Sequence, residues 1–98
     1  YNVKKLKREE DIFAKYFIRL IVNDESGVLA QIAKLMAEEE ISLEKVLQEP
    51  YPSNPKQAEL ILVTHQASKK CINNVLTAFN NVDFIEKVKS CYRVEGGE

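Results

Sequence analysis

Ninety-eight residues suffice for one hydrophobic core and exclude two, because each half of a divided chain would bury too little apolar surface. Apolar residues make up 45% of the chain and the formal net charge is −1, which excludes a disordered polyelectrolyte and a general phosphate-binding surface; no DNA or RNA partner is expected. No apolar run approaches the roughly 20 residues of a bilayer crossing, and no basic segment leads into an apolar one, so no membrane partner and a cytoplasmic location are expected.

Residues 2–15 hold the basic run Lys4, Lys5, Lys7, Arg8 and then the acids Glu9, Glu10, Asp11. Their fields cancel within about 8 Å at physiological salt, so residues 1–15 are read as a solvated linker from an upstream region. The first residue, Tyr1, fits a chain cut from something longer. The folded domain is placed at 16–95, with 96–98 as a tail.

From Tyr16 to Asn23 the sequence YFIRLIVN is aromatic and β-branched, and the polar turn Asp24-Glu25-Ser26-Gly27 stops it. A strand is expected there. Val28, Leu29, Ile32, Ala33, Leu35 and Met36 recur at three- and four-residue intervals, the signature of one helical face. Glu38, Glu39 and Glu40 follow, and acids at a helix carboxyl end oppose its dipole, so the helix should end there. Ile41 to Glu49 alternates as a half-buried strand; Pro50, Pro52 and Pro55 make a loop. Gln57 to Gln66 has the continuous apolar centre of an interior strand. Ser68 is the expected N-cap of a second helix, with Cys71, Ile72, Val75, Leu76 and Phe79 as its apolar stripe. Val82 to Val94 fits a last strand, bulged near Lys87.

The order β-α-β-β-α-β predicts an α+β, ferredoxin-like fold: a four-stranded antiparallel sheet, first and third strands central, with two helices on one face. The other face is left open. Two-residue alternation then sends Phe17, Arg19 and Ile21, with Ile61 and Val63, to the open face. An apolar patch of that size marks an interface, so Phe17, Ile21, Ile61 and Val63 are the expected contacts of a homodimer, a higher oligomer or a docked domain.

Catalysis requires a nucleophile with its base, an acid/base pair or a metal cluster converging in space. The sequence offers one histidine, His65, at a strand end, and none of the metal or nucleophile motifs. No catalytic or metal-binding residue is expected, and His65 is read as a surface or interface residue. Gly96 and Gly97 do not lie between a strand and a helix, so they form no dinucleotide fingerprint and no cofactor is expected in this segment. Cys71 and Cys91 are expected as independent reduced thiols.

The candidate site is the junction Asp24-Glu25-Ser26-Gly27-Val28-Leu29. A helix beginning at Val28 and Leu29 leaves its first amides free for an anion, and Gly27 allows close approach to the backbone. Asp24 offers a carboxylate to a cation. Together these make a clamp for a free amino acid, against the plainer alternative of an ordinary capped turn.

The turn DESGVL after YFIRLIVN, with ISLEKV after the first helix, resembles the ACT-domain pattern, whose paired modules bind small effectors at their interfaces. The longer run YFIRLIVNDESGVLAQIAKLM, with AELILVTHQA, the closing YRVEGG and the approach NVKKLKREEDIFAKYF, resembles the C-terminal region of homoserine dehydrogenases across nearly the whole chain. That resemblance implies a parent oxidoreductase interconverting aspartate semialdehyde and homoserine, with NAD(P) bound in an upstream catalytic domain, and threonine as feedback effector. It also implies effector contacts at Asp24, at Gly27 and at Ser42 on the second strand. Ser26 departs from the family's usual proline, which bears on affinity more than on fold. Two alternatives stand beside this reading: a dimerisation or docking module without effector binding, and the ACT module of another amino-acid enzyme.

Overall fold

The computed structural model describes residues 12–94. Residues 1–11 of the expected 1–15 linker and the tail at 96–98 lie outside the described residues, whereas residues 13–15 of that linker are strand. The elements are β1 (Phe13–Asn23), α1 (Val28–Glu38), β2 (Leu43–Pro50), β3 (Gln57–Thr64), the two-residue β4 (Ala67–Ser68), α2 (Lys69–Phe79) and β5 (Ile85–Val94). β1 pairs antiparallel with β3 and β5, and β2 pairs with β3, so β1 and β3 are central as the order of elements predicts.

Several boundaries differ from the sequence reading: β2 runs Leu43–Pro50 rather than Ile41–Glu49, so Pro50 pairs with Ala58 instead of opening the loop, as an edge strand allows. β1 starts at Phe13 rather than Tyr16, because Phe13 and Ala14 pair with Ser68 and Ala67 of β4. β4 follows β3 after one irregular step at His65-Gln66, where the partner sum shifts from 80 (Phe17 with Val63) to 81 (Ala14 with Ala67). The Thr64 hydroxyl bridges this step by accepting the Tyr16 amide at 3.0 Å. The last strand begins at Ile85, with Val82 and Phe84 in the preceding turn. Two register shifts leave Glu86 and Lys89 unpaired on β5, one on each side of Lys87.

Alternation sorts the sheet as expected. Ile18, Leu20, Val22, Leu60 and Leu62 face α1 and α2 and are fully buried with Ile32, Met36, Ile72, Val75 and Phe79. Burial of each such side chain contributes about 1.5–3 kcal/mol, so this layer fixes the register of the whole sheet. Ser68 caps α2 as predicted, its hydroxyl accepting the Cys71 amide at 3.1 Å. Cys71 and Cys91 are both free and both half-buried against the core, and burial pushes the Cys91 thiol pKa up.

α1 ends at Glu38, where the acids begin, in a Schellman arrangement: Glu40 N–H donates to Ala37 O at 2.8 Å and Ile41 N–H to Met36 O at 2.9 Å. Ile41 and Met36 pack together in the core at that end. The residue that turns the chain is Glu40, at φ 60, the left-handed region where glycine is preferred.

The open face departs from expectation at Ile21. It is completely buried, so it is not available to a partner as predicted, whereas Phe17, Ile61 and Val63 are half-buried on that face. The cause is a charged cluster laid across the sheet. Arg19 Nε donates to Glu59 Oε2 at 2.6 Å, a second Arg19 nitrogen pairs with the same oxygen, and Lys89 Nζ lies 3.7 Å from Glu59 Oε1. Glu59 sits directly opposite Ile21 on β3 and Lys87 opposite it on β5. Glu59 itself is 7% exposed. Nearer the start of β1, Lys15 Nζ pairs with Glu44 at 2.8 Å. The hydrogen bond and positive charge of Lys15 hold the Glu44 carboxyl below its ordinary pKa.

Candidate functional site

The end of β1, the start of α1 and the far end of β2 meet around a cavity of about 310 Å3. Val22 and Leu60 form its apolar floor, Asp24, Gly27 and Leu29 its turn side, and Gln48 its rim on β2. Two backbone bonds fix the approach: Asn23 N–H donates to Phe84 O and Asp24 N–H to Lys56 O, both at 2.9 Å. The turn is thereby held at both flanks while Asp24, Glu25 and Ser26 stay exposed.

α1 begins on Gly27 at φ 88, and no side chain caps it. The plainer alternative, in which Asp24 or Ser26 caps the helix, is not what the turn does. First-turn amides have no intrahelical acceptor, and here Val28 N–H makes only a long 3.4 Å bond to Glu25 O. These donors and the positive end of the α1 dipole face the same opening as Asp24, so one wall attracts an anion and the adjacent rim a cation. The lining includes Asp24 and Glu25 and no Lys, Arg or His, which favours a ligand bearing an ammonium group.

Of the residues expected here, Asp24, Gly27, Val28 and Leu29 all line the cavity. Ser42 does not. Its carbonyl accepts the His65 amide at 2.9 Å, and its neighbour Leu43 pairs with Thr64, beside Tyr16. Tyr16 and Asp24 are eight residue steps apart along β1 and its exit, placing Ser42 roughly 25 Å from the turn within one chain. Gln48 supplies the polar side chain instead, its Nε2 donating to Asp24 Oδ1 at 3.4 Å. The available signal was alternation: Val46 and Gln48 share the helix-facing side of β2, opposite Leu62 and Leu60. His65 is exposed at the bend after β3, as a surface residue. Among the described residues no group of His, Cys, Asp and Glu is placed to hold a metal ion, and no helix is long and apolar enough to cross a membrane.

A βαββαβ order, central β1 and β3, helices on one face and a cavity where β1 meets α1 define an ACT-type domain. The ACT domain from the GTP pyrophosphokinase of Chlorobium tepidum superimposes with a TM-score of 0.61 over 84% of this chain and 99% of that one, and at 11% identity it shares the fold alone. No protein-family model matches the chain. Over nearly its whole length the chain is similar to the ACT-type C-terminal segment of homoserine dehydrogenases. It is 38% identical to homoserine dehydrogenase of Bacillus subtilis over 93 residues, 95% of this chain and 22% of that protein. To the enzyme of Helicobacter pylori it is 34% identical over 92% of this chain and 21% of that protein. The crystal structure of a homoserine dehydrogenase from Thiobacillus denitrificans superimposes with a TM-score of 0.77 at 28% identity, over 89% of this chain and 19% of that one. The chain therefore spans about a fifth of the length of the relatives it matches.

Proposed function

We propose that this chain is the effector-binding regulatory domain of a homoserine dehydrogenase, that it carries no catalytic group of the parent enzyme, and that its effector is threonine. The observation that supports this reading most is the uncapped start of α1, which opens beside Asp24 on a cavity of about 310 Å3. An amino-acid carboxylate fits the amides of the first turn, and its ammonium fits Asp24, in the place that Gln48 Nε2 takes at 3.4 Å. A small side chain then meets Val22 and Leu60, with the Gln48 carboxamide within reach of a hydroxyl. Threonine, the end product of the pathway implied by the parent reaction, has these parts. The NAD(P) chemistry that converts aspartate semialdehyde and homoserine belongs to the parent's catalytic domain.

Gln48 puts one rim of the cavity on β2, an edge strand that among the described residues pairs only with β3. A second copy alongside that edge closes the site, and this is the homodimer we propose. Calorimetric titration of the chain and of the parent enzyme with the common amino acids tests the reading. Threonine should bind, and Asp24→Ala should weaken it by about tenfold or more, because hydrogen bonds to charged groups contribute about 1.5–3 kcal/mol. Glu25→Ala, an exposed neighbour, should change affinity by less than about 1 kcal/mol. Ser42→Ala should leave a site built within one chain unaffected. Absence of amino-acid binding at millimolar concentration, in both the chain and the parent, would leave the docking-module reading in its place.

A further inference from the structure

The charged cluster that buries Ile21 covers one half of the open sheet face and leaves the other half mainly apolar across β1, β3 and β5, with Lys45 opposite Val63 on the β2 margin. In that second half Phe17 lies opposite Val63 on β3 and Tyr92 on β5. Phe13, Leu47 and Val94 share the face by alternation. Tyr92 and Phe13 are each 61% exposed and Leu47 48%, against complete burial for Ile21. Two lysines border this region: Lys15 is neutralised by Glu44 at 2.8 Å, and Lys45 stays exposed at the β2 margin, outside the Phe17–Tyr92 centre. Exposed aromatic residues grouped beside satisfied charges are the composition of an interface core.

Area and connectivity decide the occupant. The patch spans about three strand spacings by six residues, roughly 14 by 20 Å, or about 300 Å2 on the sheet plane. A stable complex between separate molecules buries about 800 Å2 on each partner. Contacts between domains of one chain persist with as little as about 300 Å2 a side. The polypeptide enters β1 at Phe13, inside the patch, so whatever precedes residue 1 in a longer parent is tied beside it. Even fully extended, residues 1–12 reach no further than about 40 Å. A tether that short holds its cargo at an effective concentration in the millimolar range, which a second copy at micromolar concentration does not match.

We propose that the apolar half of the open sheet face, centred on Phe17 and Tyr92, docks against the upstream portion of the parent polypeptide rather than against a second copy of this domain. This rests on the reading of the chain as one segment of a longer homoserine dehydrogenase. It divides the labour between two surfaces: the β2 edge joins copies, and the open face couples the effector site to the rest of the chain.

Photo-crosslinking tests it in the full-length parent, with benzoylphenylalanine in place of Tyr92, a position exposed enough to tolerate the change. Mass spectrometry should place the crosslinks in residues upstream of Tyr1, at a yield that does not vary between about 1 and 100 µM protein, the range over which tethered and free partners separate. Tyr92→Lys in the parent should abolish protection of Phe17 from hydroxyl-radical labelling, and in the 98-residue chain should leave the sedimentation coefficient unchanged. Crosslinks to residues 12–94 of another copy would overturn the proposal in favour of self-association. Absence of any crosslink, with Phe17 equally labelled in the chain and the parent, would overturn it as well. Neither result depends on amino-acid binding, so the effector reading stands or falls separately.

Discussion

Replacing Glu40 with glycine should make the domain more stable, although it deletes a side chain and adds no contact. Glu40 turns the chain out of α1 at φ 60, in a Schellman arrangement that ordinarily carries glycine. Relief of left-handed strain is worth about 1–2 kcal/mol. Removing an acid from the negative end of the α1 dipole adds about 0.3 kcal/mol at an exposed position. Against these stands the greater freedom of glycine in the unfolded chain, about 0.5–1 kcal/mol. The balance is a gain of roughly 1 kcal/mol, which for a domain of this size raises Tm by about 4–8 °C. Urea and thermal unfolding of Glu40→Gly, Glu40→Ala and Glu40→Asn separate the terms. Alanine removes the charge and keeps the strain, so it should gain a few tenths of a kcal/mol at most. Asparagine tolerates the left-handed region and should fall between the two. If Glu40→Gly is no more stable than Glu40→Ala, backbone strain at this position is not the cause and the argument fails.

Gly27→Ala should cost about 1–2 kcal/mol through its φ of 88 alone, since a Cβ there meets no atom within 4 Å; a larger loss in urea unfolding would point to a clash instead. Arg19→Ala should destabilise by about 2–4 kcal/mol, below the full cost of breaking a buried pair because Lys89 stays near Glu59 and the Arg19 side chain is 36% exposed. Adding Glu59→Gln to Arg19→Ala should recover part of that loss in chemical unfolding, whereas an additive double variant would show that the pair is uncoupled. Both cysteines should be found as free thiols by mass spectrometry of unreduced protein. The Cys91 thiol, protonated by burial, should react with iodoacetamide near its ordinary pKa more slowly than a free thiol, and a thiolate gained at higher pH should weaken the fold.

Elements, order and faces were legible because both periods are carried by local sequence: the two-residue alternation of β1 and β3, and the 28, 32, 36 spacing of α1. Ser68 was legible as a cap for the same reason, as its acceptor and donor lie three residues apart. What escaped was built from distant segments. The burial of Ile21 depends on Arg19, Glu59 and Lys89, which meet only once three strands are in register. The start of β1 at Phe13 depends on β4, more than fifty residues later. Family resemblance pointed to Ser42, yet the register of β2 on β3 puts Gln48, and not Ser42, at the cavity rim. Glu40 was read correctly as a stop through its charge. Its larger contribution, the left-handed turn, is usually announced by a glycine that this sequence lacks.

The unequal edges of the sheet limit how many copies can join. β5 carries two bulges, at Glu86 and Lys89, and unpaired residues of this kind twist an edge away from further pairing. β2 runs in unbroken register from Lys45 to Pro50. When two β2 edges meet about a two-fold axis, each uses up the only regular edge the other has among the described residues, and the bulged β5 strands become the outer margins. Such a contact closes on itself at two, so high concentration should fill the dimer without nucleating a filament.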